Sequence, residues 1–338
     1  MQVKQTALEK HTIHLPMSLS LSNALRFQKK LLSIPFAKSI TFDCTRLNYV
    51  EPFSMLLTAQ AIRDFNLSRM GADFLVRGNG INSYASLMGF FAQAGLSAPI
   101  KSTKRGNPRY LAVKEVDCDA LKSSAYENFM YTCDLVEEDA EKMAAVLSQM
   151  NDGEIFYILK YTIQEMVRNV IEHSESKSFL YCGQYWLRAD RIEIGFVGFG
   201  IGLRSSLEKN PKISNIDEVK ALNLALTPGV SSTSYGPGGP KGKWSNTGFG
   251  PYMTSRLCCE GGIFVLLGIF GIQKNAFRSD LIEAGINRTG VRIVLKPSNF
   301  KSIQSSFNKY LEDAKSISDK FDAASVGMSP STILKRSK

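Results

Sequence analysis

A two-domain α/β protein is what the sequence predicts, and three observations carry that prediction. The chain has 338 residues, enough for two ordinary domains and a tail. Residues from about 10 to 100 alternate short apolar strands with amphipathic helices. Beyond residue 110, long helix-period segments alternate with β-rich pairs. An apolar share of 44% and a charged share of 21% are those of a soluble globular chain, so neither a disordered nor a fibrous class fits.

Taken in order, residues 39–43 (Ser-Ile-Thr-Phe-Asp) read as a strand, 52–65 as a helix, 72–76 as a second strand and 81–93 as a further helix. That β-α-β-α order predicts a small first domain. A basic stretch with Pro and Gly, 101–109, follows as a linker or exposed hairpin. The second domain begins near Tyr110. Residues 137–150 form a helix ended by Asn151-Asp152-Gly153, which is turn chemistry. A long helix covers 154–173. Residues 178–187 and 191–197 flank Ala189-Asp190 and read as a hairpin. Residues 216–226 are helical, 229–243 are a loop rich in Gly, Ser and Pro, 246–259 return to helix, and 263–268 and 291–295 are strands. An amphipathic helix over 300–321 leads into a polar, basic-ended stretch, 323–338, expected to be disordered. The expected boundaries are therefore 1–108, 109–299 and 300–338.

Composition removes several function classes. No apolar run approaches the roughly 18 to 20 residues that span a bilayer. The N-terminus lacks a signal-peptide core, so the expected location is the cytoplasm, with no membrane partner. The six cysteines (44, 118, 133, 182, 258 and 259) show neither CxxC pairing nor zinc-finger spacing to His, and read as reduced packing residues. The net charge of +10 favours anions in general. Lys and Arg concentrate at 101–109, 241–243 and 335–338, but no recognition helix or aromatic-basic motif accompanies them. Nucleic acid is therefore a partner without motif support.

The most informative stretch is Gln164-Glu165-Met166-Val167-Arg168-Asn169-Val170-Ile171-Glu172-His173. At about 3.6 residues per turn, Glu165, Asn169 and His173 share one drifting face, while Leu159, Ile163, Met166 and Val170 form an apolar stripe on another. Such a helix can pack on a sheet and present a polar row to a ligand. Asn169 suits a Mg²⁺ ion, a hard cation that takes oxygen ligands and keeps several waters. Glu165 suits a proton acceptor for a water attacking a terminal phosphate. An ordinary polar face would use the same residues.

Two glycine-rich elements follow. Gly198-Phe199-Gly200-Ile201-Gly202 comes directly after a strand, where glycines let the backbone approach a ring or phosphate closely; tight turns use the same residues. The loop from Gly229 ends in Asn246-Thr247-Gly248-Phe249-Gly250 before a helix. Gly248 and Gly250 there expose amides at a helix N-terminus, and Lys241 and Lys243 add charge suited to a triphosphate. A flexible surface loop is the plain alternative.

In this order the three elements resemble the GHKL ATP-binding family of gyrases, chaperones, histidine kinases and mismatch-repair proteins. Glu165 through His173 looks most like the branch of serine kinases that act as anti-sigma factors, and the resemblance spans about residues 135–297. It implies a Bergerat-type α/β sandwich with helices on one face of a mixed sheet, and ATP with Mg²⁺ as cofactors. Asn169 would be the Mg²⁺ ligand and Glu165 the catalytic carboxylate. Gly200 and Gly202 would line the adenine pocket, and Gly248 and Gly250 with the preceding loop would close over the phosphates. Thr289 matches a family threonine that helps hold the adenine. The implied function is regulatory: slow ATP hydrolysis or phosphorylation of a partner serine, coupled to lid closure and protein interaction, in a bacterial protein that can form a homodimer.

One position departs from the pattern. The family begins its glycine turn with an aspartate that accepts from the adenine amino group; here that position is Gly198. A lost charge-assisted hydrogen bond costs about 1.5 to 3 kcal/mol, roughly 10- to 150-fold in affinity. A weakened or nucleotide-free pseudo-ATPase acting as a scaffold, a rearranged adenine pocket, and a deliberately disabled site all follow from that change. The first domain resembles the STAS domain of anti-sigma-factor antagonists through Ile40-Thr41-Phe42-Asp43 and the helix after Glu51. Pro52 stands where that family carries its phosphorylatable serine, which implies a fixed module for a protein partner; Ser54 is a surrogate acceptor.

Overall fold

The structure of the protein, a computed structural model, describes residues 8–97, 109–232, 248–300 and 302–319. They form an α/β protein of two compact units. The first comprises the described residues up to 97 together with 112–114 and 181–183, and the second comprises the rest.

The first unit runs β1 (Leu8–His14), β2 (Ser18–Leu19), α1 (Leu21–Leu32), β3 (Ala37–Asp43), β4 (Tyr49–Val50), α2 (Pro52–Leu67), β5 (Asp73–Arg77), α3 (Ser83–Leu87) and α4 (Phe90–Gln93). Strands β1, β3 and β5 pair in that order and are parallel, because a helix carries the chain back between each pair. Ile13, Ile40 and Phe42 are wholly buried, and the Phe42 ring meets Phe65 of α2 edge-on at 6.1 Å. The expected helix over 81–93 is two short helices. Gly89 sits between them at φ 81°, a left-handed conformation that ends one helix and begins the next. Proline opens α2 as expected, but Ser54 is wholly buried and therefore shielded from a phosphorylating partner in this conformation. His14 faces Asp43 at 3.1 Å.

The second unit runs β6 (Tyr110–Asp117), α5 (Cys118–Glu127), α6 (Thr132–Ser148), α7 (Glu154–His173), β7 (Ser178–Trp186), β8 (Arg191–Gly198), α8 (Gly202–Leu207), α9 (Glu218–Ala225), α10 (Gly250–Gly261), β9 (Gly262–Leu267), β10 (Phe270–Lys274), β11 (Ser279–Glu283), β12 (Thr289–Leu295) and α11 (Ile303–Asp319). One seven-stranded sheet has the order β11-β10-β9-β12-β8-β7-β6, antiparallel from β11 through β8. The hairpin over 178–198 and the strands at 263 and 291 lie where the sequence predicts them. The strands β6, β10 and β11 were not anticipated. β6 and β11 are edge strands with much of their length exposed, so neither carries a clear alternation, whereas β10 is short and follows β9 after only two residues, so it reads as the end of that strand and its turn.

Helix α7 buries Ile158, Leu159 and Ile163 completely and packs between α6 and α10. The C-terminal helix α11 is part of this unit and not a separate segment. Phe307 meets Tyr161 edge-on at 5.7 Å, and the Tyr310 hydroxyl donates to Glu260 at 2.7 Å. In the middle of the sheet, Glu193 has no exposed surface and accepts from Arg191 at 2.6 Å and Arg292 at 2.9 Å. Among the described residues the cysteines form no disulfide, and no helix is long and apolar enough to cross a membrane. The basic clusters at 241–243 and 335–338, and 101–108 of the third, lie outside the described residues.

Candidate functional site

Helix α7 starts where Gly153, at φ 101°, ends the Asn-Asp-Gly turn, and it stays helical through His173. Its C-terminal end is stitched to the glycine turn after β8. The Ile201 amide donates to the Ser174 carbonyl at 2.9 Å, and the Phe199 amide donates to the Ser176 hydroxyl at 3.0 Å. Gly200 makes this approach possible. A Cβ on it would overlap the Ser174 carbonyl oxygen and lie 2.6 Å from the carbonyl carbon. Gly202, at φ 81°, then opens α8.

The third element arrives from the other side. Gly248, at φ 68°, accepts from the Gly229 amide at 3.1 Å, and a Cβ there would lie 2.9 Å from the Val230 carbonyl oxygen. Two residues on, Gly250 begins α10 directly against Glu165; a Cβ would overlap Oε2 of that carboxylate and sit 3.0 Å from its Cδ. Gly200 and Gly248 are set by a close approach of backbone, Gly202 by its left-handed φ, and Gly250 by the Glu165 side chain.

Between the elements lies a cavity of about 140 Å³, room for about five waters. Asn169, Gly198, Gly200, Gly202, Gly248 and Thr289 all line it. Thr289 is the direct partner of Gly198 across the β12–β8 pairing, so the two face the cavity together. Its floor comes from the sheet: Phe196, Leu266 and Val291 contribute, with Met166 and Val170 of α7 beside them. Those floor residues alternate with period two along their strands, a signal present in the sequence that becomes informative only once the strands are placed side by side. Ser206, Ser231 and Ser232 complete the wall and carry no motif.

Glu165 and Gly250 are placed differently from the expectation. They touch each other but do not line the cavity. Glu165 is only 7% exposed, and the guanidinium of Arg168, itself 8% exposed, donates to it at 3.3 Å and to Glu172 at 3.2 Å. Burial raises the Glu165 carboxyl above its usual range, while the Arg168 charge pulls the other way. The polar row of α7 is thus divided: Asn169 reaches the cavity and Glu165 is held in the packing against α10. Lys241 and Lys243 lie outside the described residues.

No protein-family model, curated protein or solved structure matches the chain. Among the described residues, no group of three or more His, Cys, Asp or Glu is placed to hold a metal ion. What the site offers chemically is a mainly apolar cavity with a carboxamide, hydroxyls and glycine backbone in its lining.

Proposed function

We propose that this is an ATP–Mg²⁺-binding regulatory protein of the GHKL class, acting in the cytoplasm, whose first unit is a STAS-like module for a protein partner. One observation carries the reading. Residues selected from three separated segments, Asn169 on α7, Gly198 to Gly202 after β8, and Gly248 before α10, line one cavity together with Thr289. An unrelated α/β fold has no reason to bring those segments together. The slot between Met166, Phe196, Leu266 and Val291 suits the faces of a purine ring. Asn169 would supply one oxygen to a Mg²⁺ ion whose other ligands are phosphate oxygens and waters, which is how that ion is usually held. ATP would supply a transferable terminal phosphoryl group. Glu165, its carboxyl raised by burial, is the base that takes a proton from water or from a partner serine.

A second reading has its own support. Gly198 brings no carboxylate to the base, and Glu165 is occupied by Arg168 and lies off the cavity wall. Both favour a scaffold that keeps the fold without turnover. Titration calorimetry of the full chain with ATP and Mg²⁺, beside a hydrolysis assay on wild type and Glu165→Ala, separates the two. Binding with turnover that the variant abolishes supports the enzyme. Binding with no turnover in either supports the scaffold. No binding, or equal turnover in both proteins, removes the proposed site or role.

A further inference from the structure

The connection between α5 and α6 presents aromatic rings that the fold does not bury. Helix α5 ends in a left-handed turn: the Phe129 amide donates to the Tyr126 carbonyl at 3.1 Å, and the Met130 amide donates to the Ala125 carbonyl at 2.9 Å. This pattern holds the residue after the helix cap at positive φ, and glycine is the usual choice there because a side chain crowds the backbone. Here that residue is Phe129, at φ 54° and 100% exposed. A bulky residue in this conformation costs stability, and its ring recovers none by burial. Tyr126, 85% exposed, and Tyr131, 68% exposed, stand close by in the chain, one on each side. Single exposed rings are ordinary on a protein surface, but three in one turn, with the central one strained, are not.

The same segment is acidic within a basic chain. Residues 117–141 hold eight carboxylates and one lysine, whereas the whole chain carries +10. Lys160 reaches Glu137 and Glu141, and Lys142 reaches Glu138 and Asp139, which offsets part of that excess. Glu127 ends α5 and Asp134 lies in the first turn of α6, so a carboxylate flanks the Phe129 turn in each direction. Carboxylates and aromatic faces attract the same kind of partner, because a guanidinium or ammonium pairs with the first and stacks on the second. Nucleic acid and anionic lipid are repelled. A second copy joined here about a two-fold axis would set carboxylates against carboxylates. We infer that the α5–α6 turn is a docking site for an arginine- and lysine-rich segment of a partner protein, with Phe129 as its apolar anchor. This assignment is independent of what the cavity binds.

Panning of displayed random peptides on the full chain, wild type and Phe129→Gly side by side, tests this. Peptides that lose about tenfold or more in affinity on the variant are expected, enriched in Arg and Lys beside an apolar residue. Their affinity should fall with added salt and fall again on Glu127→Lys. If no peptide depends on Phe129, or the dependent ones are acidic or uncharged, the inference is overturned. The same variant separates docking from a structural role. Glycine suits the left-handed position, so Phe129→Gly should raise the melting temperature of the second unit by about 2–4 °C. A lowered value shows that the ring belongs to the packing and overturns the reading. Sedimentation in which wild type self-associates and Phe129→Gly does not gives the face to a second copy, which overturns it as well.

Discussion

Replacing Gly200 with Ala is the sharpest test of how the site is built. A Cβ there falls 2.6 Å from the carbonyl carbon and from the Cβ of Ser174, with the carbonyl oxygen closer still, so backbone must move. The movement breaks the Ile201-to-Ser174 bond and strains the Phe199-to-Ser176 bond. Forcing an extra methyl into a packed site costs about 1–3 kcal/mol, and each weakened hydrogen bond adds about 0.5–1.5 kcal/mol. A loss of about 2–6 kcal/mol follows, which for a unit of this size lowers the melting temperature by roughly 4–24 °C. Gly198→Ala is the matched control, since its nearest neighbours stand at 3.6 and 4.0 Å; its effect should stay within about 1 kcal/mol either way. Intrinsic tryptophan fluorescence is the assay of choice. Trp186 belongs to the second unit, so its signal follows the unfolding of that unit. If Gly200→Ala and Gly198→Ala unfold together, the turn is not pinned to the end of α7 and the site as described is wrong.

Three other outcomes are expected. Because burial raises the Glu165 carboxyl, the folded state binds its proton more tightly than the unfolded chain does, and stability is lost as pH rises through the ordinary carboxylate range toward the raised value. Glu165→Gln should therefore lose less stability than wild type as pH rises through and above the ordinary carboxylate range; superimposable profiles from denaturant titrations would contradict the assignment. Gly250→Ala pushes against the movable end of Glu165 and not against backbone, so it should change stability by no more than about 1 kcal/mol while re-aiming the carboxylate. In a hydrolysis assay it should lower turnover about tenfold or more and leave ATP affinity nearly unchanged; unchanged turnover would show that the carboxylate's position does not matter. Glu193→Ala removes the buried carboxylate shared by Arg191 and Arg292 and should cost about 3–5 kcal/mol in a urea melt, whereas a loss under about 1 kcal/mol would show the pair to be structurally idle.

Much of this architecture is legible in local sequence. Helix α7 announces itself through its apolar stripe and the Asn-Asp-Gly turn before it, and the central strands through continuous apolar runs, because buried elements must carry the periodicity of their own backbone. Elements at the sheet edges are not legible in this way. Strands β6 and β11 meet water along much of their length, so polar residues are tolerated there and the pattern fades.

The sequence by itself determined which residues could gather into a site, since Asn169, the glycines after β8 and Gly248 are recognisable by type and spacing. Only the tertiary structure decided which of them share a cavity. Thr289 reaches Gly198 through a strand pairing that spans much of the second unit, and no local pattern encodes such a register. It also decided that Glu165 lies buried against Gly250 in the grip of Arg168 while Asn169, one turn further along, faces open space. The physical reason is that a helix's own periodicity places residues on a face, but what that face meets depends on segments elsewhere in the chain. Here they are the N-terminus of α10 on one side of α7 and the glycine turn on the other.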